Sequence, residues 1–437
     1  MKVVVYCLVN FLDDFGIDLG HNVKEKRFRN FTTENGNLTM CTEDLPLFDD
    51  NDNVTAHLFI QLEAFQQVYT VIHRYLCLFV CFFGVILNSL HFYVLTRKAM
   101  RVYIINALLC AMSICDIITM SSYFIYIIRF KILDDNSEPF GYTYLWLVFL
   151  VTHVTSSIAL HTTSLYLSVI MAYIRWTALD RLDAKWINHG ALKQILLFTA
   201  LIVTVISIPT IMVHKIVTVN EALGYAGANV TDPIYSTIYT VTLDDRSIQG
   251  CALFRLNLWL TGIMFKALPC LLILWFTIAL IYKLCEMSEK RRILRGETAR
   301  RKRGDFELLA NTPPNSTPRE EHRIRRMSQS MSIDRTTLML IIMMVVFLCT
   351  ELPQGLLAIL SAIYPTQVHT MIYVNLGEVL DLLSLINCLT SFIVYCAMSS
   401  TYRATVRSII CSGARRNPKN VSKNAQLLLN SYRIQVS

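Results

Sequence analysis

The chain reads as an all-α membrane protein: a seven-transmembrane helix bundle, N-terminus outside, with a short membrane-surface helix after the seventh span. Three features of its 437 residues predict this. Only 16% are charged, where a soluble domain carries about 25%. The apolar residues fall in seven blocks, each long enough to cross a bilayer core, which takes about 20 residues. Basic residues gather on alternate connections, as the positive-inside pattern requires. Mean hydropathy is +0.44. No period-two alternation at barrel-strand length occurs, so the spans are helices and not strands.

The spans run near Ile72–Thr96, Ile104–Ile128, Thr143–Trp176, Ala191–His214, Leu256–Leu284, Leu338–Ile363 and Thr370–Met398. The third exceeds the bilayer thickness, which predicts tilt or extension past the headgroups. Residues 1–71 form an outer tail, 72–398 the bundle and 399–437 a cytoplasmic helix and tail. Arg97, Lys98 and Arg101 follow span one; Arg175, Arg181 and Lys185 follow span three. Lys283 to Arg303 follow span five, and Arg403, Arg407, Arg415 and Arg416 follow span seven. This side is assigned to the cytoplasm and the chain to the plasma membrane. The acidic tail around Asp49, Asp50 and Asp52 lies outside. No cleavable leader is convincing, because Asn10, Asp13 and Asp14 interrupt the apolar run Val3 to Leu12. Span one can serve as the insertion signal.

Glycosylation sequons agree with this topology. Asn30, Asn37, Asn53 and Asn229 each begin an Asn-x-Thr triplet in segments placed outside. Most of the thirteen cysteines lie within spans, where cysteine acts as a small apolar filler. Cys41 and Cys251 face an oxidising exterior that permits a bridge, with Cys7 a further candidate. The net charge of +8 sits on loops that meet anionic headgroups, and does not call for nucleic acid.

One stretch stands apart. Thr350-Glu351-Leu352-Pro353-Gln354-Gly355 puts a carboxylate and a proline inside span six. A charge there is costly and usually functional, and proline removes a backbone donor and kinks the helix. With it come Asn88 in span one, Asp116 in span two, Arg175 ending span three, Pro269 in span five, and Asn387 and Tyr395 in span seven. This order resembles rhodopsin-like G-protein-coupled receptors. The span-six stretch, Gly377-Glu378-Val379-Leu380-Asp381 through Asn387, and Phe392-Ile393-Val394-Tyr395 narrow the resemblance. They are similar to invertebrate myosuppressin and FMRFamide-type (dromyosuppressin-receptor-like) receptors.

The resemblance implies a receptor for an amidated peptide, coupled to heterotrimeric G protein and regulated by arrestin and receptor kinases. It implies a sodium pocket at Asp116, Ser164, Asn387 and Ser391, the alternative being a protonated Asp116 in a hydrogen-bonded network. It makes Arg175, Pro353 and Tyr395 the coupling and switch residues; a snorkelling anchor is the other reading of Arg175. The chain departs from the usual pattern in several places. Glu351 replaces a tryptophan, Ile174 an acid, Thr277 a tyrosine, and Ser391-Phe392 an Asn-Pro pair. No cysteine stands between Cys115 and Cys251, so the usual bridge to the top of span three cannot form.

Glu351, Glu378 and Asp381 suit an Arg-Phe-amide terminus, since guanidinium pairs bidentately with carboxylate. Glu378 and Asp381 are three apart and share a helix face. His153, His161, Trp146 and Tyr373 complete the candidate peptide site, with interhelical packing as the bland alternative for each. For Glu351, structure and switching are preferred over direct contact with ligand. Residues 285–335 lack apolar periodicity and are expected to be largely disordered, with Ser328 after Arg325-Arg326 as a phosphorylation site. After span seven, Tyr402, Val406, Ile409 and Ile410 share a face that suits the bilayer surface, and Cys411 can be palmitoylated.

No catalytic or phosphate-binding motif is present, so an enzyme is not expected, nor any cofactor beyond the possible sodium ion. A transporter would show internal repeats, and none is apparent. Within the receptor class, the alternative is a different peptide or a small chemosensory ligand.

Overall fold

The computed structural model describes residues 47–48, 53–101, 103–133, 141–180, 189–225, 237–243, 248–308 and 318–414. Seven helices there are long and apolar enough to cross a membrane. They are α1 (Asn53–Leu95), α2 (Ile104–Ile127), α3 (Tyr144–Asp180), α4 (His189–Ile206), α5 (Ile248–Leu260, then Leu268–Leu308), α6 (Pro318–Ile363) and α7 (Val374–Met398). A final helix, α8, runs Ser400–Ala414. Around the bundle α1 packs on α2 and α7, α3 on α2 and α5, and α6 on α5 and α7. In lipid these contacts are held by van der Waals packing and interhelical hydrogen bonds rather than by hydrophobic burial. α4 is the most lipid-exposed, presenting Leu197, Phe198, Leu201 and Val205 outward.

Two helices are longer than the sequence suggested. α1 starts at Asn53, not Ile72, because no glycine or proline interrupts the chain before Gly84 and good helix formers such as Ala56, Leu62 and Ala64 fill it. Asn53 is exposed at its first residue. Residues 285–335 were expected to be irregular, yet α5 continues to Leu308 and α6 begins at Pro318. Glu286 pairs with Lys290 at 2.6 Å and with Lys283 at 3.7 Å on one helical face, which supports a helix that has left the membrane. Pro318 suits a first turn, where its missing N–H is no loss. Ser328 lies on α6 backbone.

Among the described residues, three π-helical segments interrupt the helices: Ile128–Ile132 after α2, Thr261–Ala267 within α5, and Pro365–Tyr373 before α7. Such segments often mark functional sites. All three carry residues that return below.

The connection after α4 forms an antiparallel hairpin of β1 (His214–Thr218) and β2 (Tyr239–Leu243). Tyr142, just before α3, exchanges two backbone hydrogen bonds with Tyr239, each 2.9 Å. The hairpin is thereby tied to the top of α3 without a disulfide there. Gly141 makes the approach possible: its φ is 154°, and a Cβ there would sit 2.8 Å from Ile238 Cβ.

The larger apolar core lies at the basic-loop end, built on Leu108, Met112, Leu165, Met171, Met343, Phe347, Tyr395 and Tyr402. Val406 and Ile409 of α8 pack against it. Arg403 Nη1 donates to the carbonyls of Cys396 (3.2 Å) and Ala397 (2.6 Å), satisfying carbonyls that the end of α7 leaves open. Tyr402 is fully buried and donates to or accepts from His91 Nδ1 at 2.9 Å. A smaller core joins Cys77, Cys81, Met120, Ile127, Leu385 and Cys388 of α1, α2 and α7.

Candidate functional site

Polar side chains between the two cores converge on Glu351. Its side chain is wholly buried. Oε1 lies 2.6 Å from His161 Nε2 of α3, and Oε2 lies 2.6 Å from Lys266 Nζ in the π-turn of α5. Asn387 Nδ2 of α7 donates to Oε1 at 3.3 Å. Lys266 also donates to Gln354 Oε1 at 2.8 Å. Gln354 Nε2 then donates to the Leu380 carbonyl and to Ser384 Oγ, both at 2.7 Å. A charge on each of two helices is thus compensated, and four helices are joined through one carboxylate. A buried charge survives in an apolar bundle only when paired and hydrogen-bonded in this way.

Lys266 escaped the sequence reading, though a signal was available. A lysine in the middle of an apolar span needs a counter-charge, and Glu351 stands at comparable depth in span six. Widening of α5 over Thr261–Ala267 brings Lys266 against α6, where Gly355 admits its Cβ at 3.3 Å from the position a glycine side chain would take.

Asp116, Ser164, Asn387 and Ser391 are all buried. Asn88 Nδ2 donates to the Gly84 and Cys388 carbonyls, each at 3.1 Å. Among the described residues, the side-chain oxygens of Asn88 (Oδ1), Ser164 (Oγ) and Asn387 (Oδ1) are buried without a partner. Unsatisfied hard oxygens together with a buried carboxylate form the donor set that suits a sodium ion or ordered water.

Toward the outer end, Glu378 Oε1 lies 3.2 Å from Lys131 Nζ, which sits in the π-turn after α2. Asp381 Oδ2 accepts from Tyr123 OH at 3.2 Å, and that hydroxyl lies 3.2 Å from His73 Nε2. Asp381 is nevertheless exposed. His153 lies deeper, with Nδ1 3.0 Å from Ser122 Oγ and its ring stacked on Tyr126 at 5.1 Å. Above it Phe130 meets Tyr142 at 4.8 Å and Trp146 at 6.2 Å. Arg129 lies over the Tyr142 and Trp146 rings at 5.2 and 5.3 Å. Tyr373 stacks on His369 at 5.4 Å, in the π-helical segment before α7.

The structure therefore divides the sequence-predicted peptide set. Glu378, Asp381, Trp146, Tyr373 and His153 belong to the outer region, whereas His161 and Glu351 belong to the buried ionic network. At the basic-loop end, Arg175 is half-buried beside Tyr395 and Tyr103. Tyr395 OH donates to Asn106 Oδ1 at 3.4 Å. Pro353 lies within α6 two residues after Glu351. Cys41, Asn30, Asn37 and Asn229 lie outside the described residues; Cys251 and Cys411 are on helices, in α5 and α8.

Residues 75–307 and 316–413 match the family described as serpentine type 7TM GPCR chemoreceptor Srw. The chain is also 32% identical over 372 residues to the G-protein coupled receptor dmsr-1 of Caenorhabditis elegans, covering 78% of this chain and 69% of that receptor.

Proposed function

The chain belongs to the serpentine-type Srw family of seven-transmembrane G-protein-coupled receptors, and from that premise we propose that it is a plasma-membrane receptor for an amidated neuropeptide of the RFamide or myosuppressin-like class. It is a multi-pass membrane receptor and not an enzyme. The observation that carries the ligand reading is the outer acidic pair, Glu378 beside Lys131 and Asp381 beside Tyr123, at the same end of α2 whose neighbour Phe130 meets Tyr142 and Trp146. An arginine and a phenylalanine ring are the side chains such a pair of surfaces would hold, by charge-assisted hydrogen bonds and by aromatic contact. The likeness of the span-six and span-seven stretches to myosuppressin and FMRFamide-type receptors supports the same ligand class.

Transmission runs inward through the chain's own residues. Ligand pressing on α7 at Asp381 acts on the helix that also supplies Leu380 and Ser384 to Gln354 and Asn387 to Glu351. Shifting these contacts releases α6 relative to α5. Movement of α6 at the basic-loop end would open the surface around Arg175 to a G protein, with arrestin and receptor kinases acting on the same cytoplasmic face. A sodium ion held by Asp116, Ser164, Asn387 and Ser391 would supply a positive charge that favours the resting arrangement. Ser328 as a phosphorylation site, Cys411 as a palmitoylation site and a Cys41–Cys251 bridge belong to the same proposal.

The test is G-protein activation in cells displaying the chain, with amidated RFamide and myosuppressin-like peptides and their free-acid forms. A response that needs the amide supports the reading. Silence from receptor shown to be at the surface overturns it in favour of another peptide or a small chemosensory ligand.

A further inference from the structure

Gln367 holds the outer tail by its main chain. Its Oε1 accepts from the backbone N–H groups of Leu47 (2.8 Å) and Phe48 (3.0 Å), and its Nε2 donates to the Phe48 carbonyl at 3.1 Å. One side-chain amide thus bonds both polar backbone groups of a single residue, as a neighbouring β-strand does. The Phe48 ring rests edge-on against Phe59 of α1 at 5.5 Å. None of the three hydrogen bonds uses a side chain of the tail, so any extended peptide offers the same donors and acceptor.

The contact is at the surface, where Leu47 is 41% exposed. Gln367 belongs to the π-helical segment Pro365–Tyr373, which runs directly into α7. Eleven positions further on stands Glu378, about 16 Å along the helix at 1.5 Å per residue. An extended chain covers that distance in about five residues. A peptide whose arginine is at Glu378, and whose upstream residues run outward, therefore brings its main chain to the level of Gln367. Exchanging one backbone for another costs little, because each hydrogen bond broken is replaced by one of the same kind.

We propose that Gln367 is a main-chain reading site for the upstream part of a peptide ligand, and that Leu47 and Phe48 of the chain's own tail occupy it in the free receptor as an autoinhibitory clip. The inference rests on the peptide reading above and adds a subsite which that reading does not use. The tail is covalently attached, so it competes at high effective concentration, and a ligand displaces it only when already held at its other end. Gln367 therefore selects for the length of the peptide rather than for its upstream sequence.

The experiment titrates two peptides on the full-length receptor at matched surface expression: a ten-residue peptide ending in Arg-Phe-amide, and its C-terminal tetrapeptide amide, too short to reach Gln367. Phe48→Pro removes one donor and the ring that meets Phe59; Leu47→Pro removes the other donor and serves should Phe48→Pro fail to reach the surface. Each should raise the potency of the ten-residue peptide about tenfold, the scale of one or two net hydrogen bonds, and leave the tetrapeptide unchanged. Gln367→Leu should lower the potency of the ten-residue peptide about tenfold, with the tetrapeptide as the control for general damage. A clip with a purely structural role would move the tail variants and Gln367→Leu in the same direction, and that result overturns this inference while sparing the peptide reading. So does unchanged potency of the ten-residue peptide in the tail variants, or a shift that the tetrapeptide shares in full. Silence of the wild type toward both peptides, with receptor at the surface, overturns the two together.

Discussion

Replacing Lys266 with Met removes a cation that lies 2.6 Å from a fully buried carboxylate oxygen. Methionine keeps the length and the packing of the aliphatic stem but leaves Glu351 with only its hydrogen bonds to His161 and Asn387. Breaking a buried ion pair from one side costs about 3–5 kcal/mol, because the remaining charge is uncompensated. Gln354 also loses its donor from Lys266 at 2.8 Å, adding about 1 kcal/mol for a lost hydrogen bond. The double variant Lys266→Met with Glu351→Gln removes both charges, and an apolar or neutral replacement of a buried pair is often nearly neutral. The assay is thermal inactivation of solubilised receptor, with surface expression and basal G-protein activation read in parallel. Lys266→Met should be strongly destabilised, and its surviving fraction should show raised basal signalling because α6 has lost its tie to α5. The double variant should recover at least half of the lost stability. If the two single losses simply add in the double variant, Lys266 and Glu351 are not coupled, and the account of a charge-held junction is wrong.

Three further outcomes follow from single contacts. Gly141→Val should lower folding yield by a strain of about 1–3 kcal/mol, since φ is 154° and the new Cβ meets Ile238; surface expression checks it, and a normal level would show the Tyr142–Tyr239 tie is dispensable. Asp116→Asn should abolish any sensitivity of agonist affinity to sodium against choline chloride, a result read by competition binding. Retained sensitivity would move the ion elsewhere. Tyr402→Phe leaves His91 without its 2.9 Å partner while its Nε2 is already unsatisfied, and the buried unmet group should cost about 1–3 kcal/mol. An unchanged thermal midpoint would show that α8 is not anchored through this bond.

By itself the chain determined the seven spans, the sidedness proposed from its basic loops, and the candidate acids. Those follow from hydropathy, charge placement and short-range spacing, which act along the sequence and need no partner. It also marked Glu351 as a structural group, since a carboxylate in an apolar helix must be answered by something. What answers it is Lys266, 85 residues earlier in the chain yet in direct contact, and only helix packing brings the two together. Packing likewise gave Glu378 to Lys131 and Asp381 to Tyr123, and it separated His161, at Glu351, from the other residues of the candidate peptide site. The helical continuation past Lys290 and the Tyr142–Tyr239 tie were hidden for a related reason. One depends on side-chain pairs that outweigh a polar composition, the other on backbone groups that any residue carries, so neither leaves a distinctive pattern of residue types.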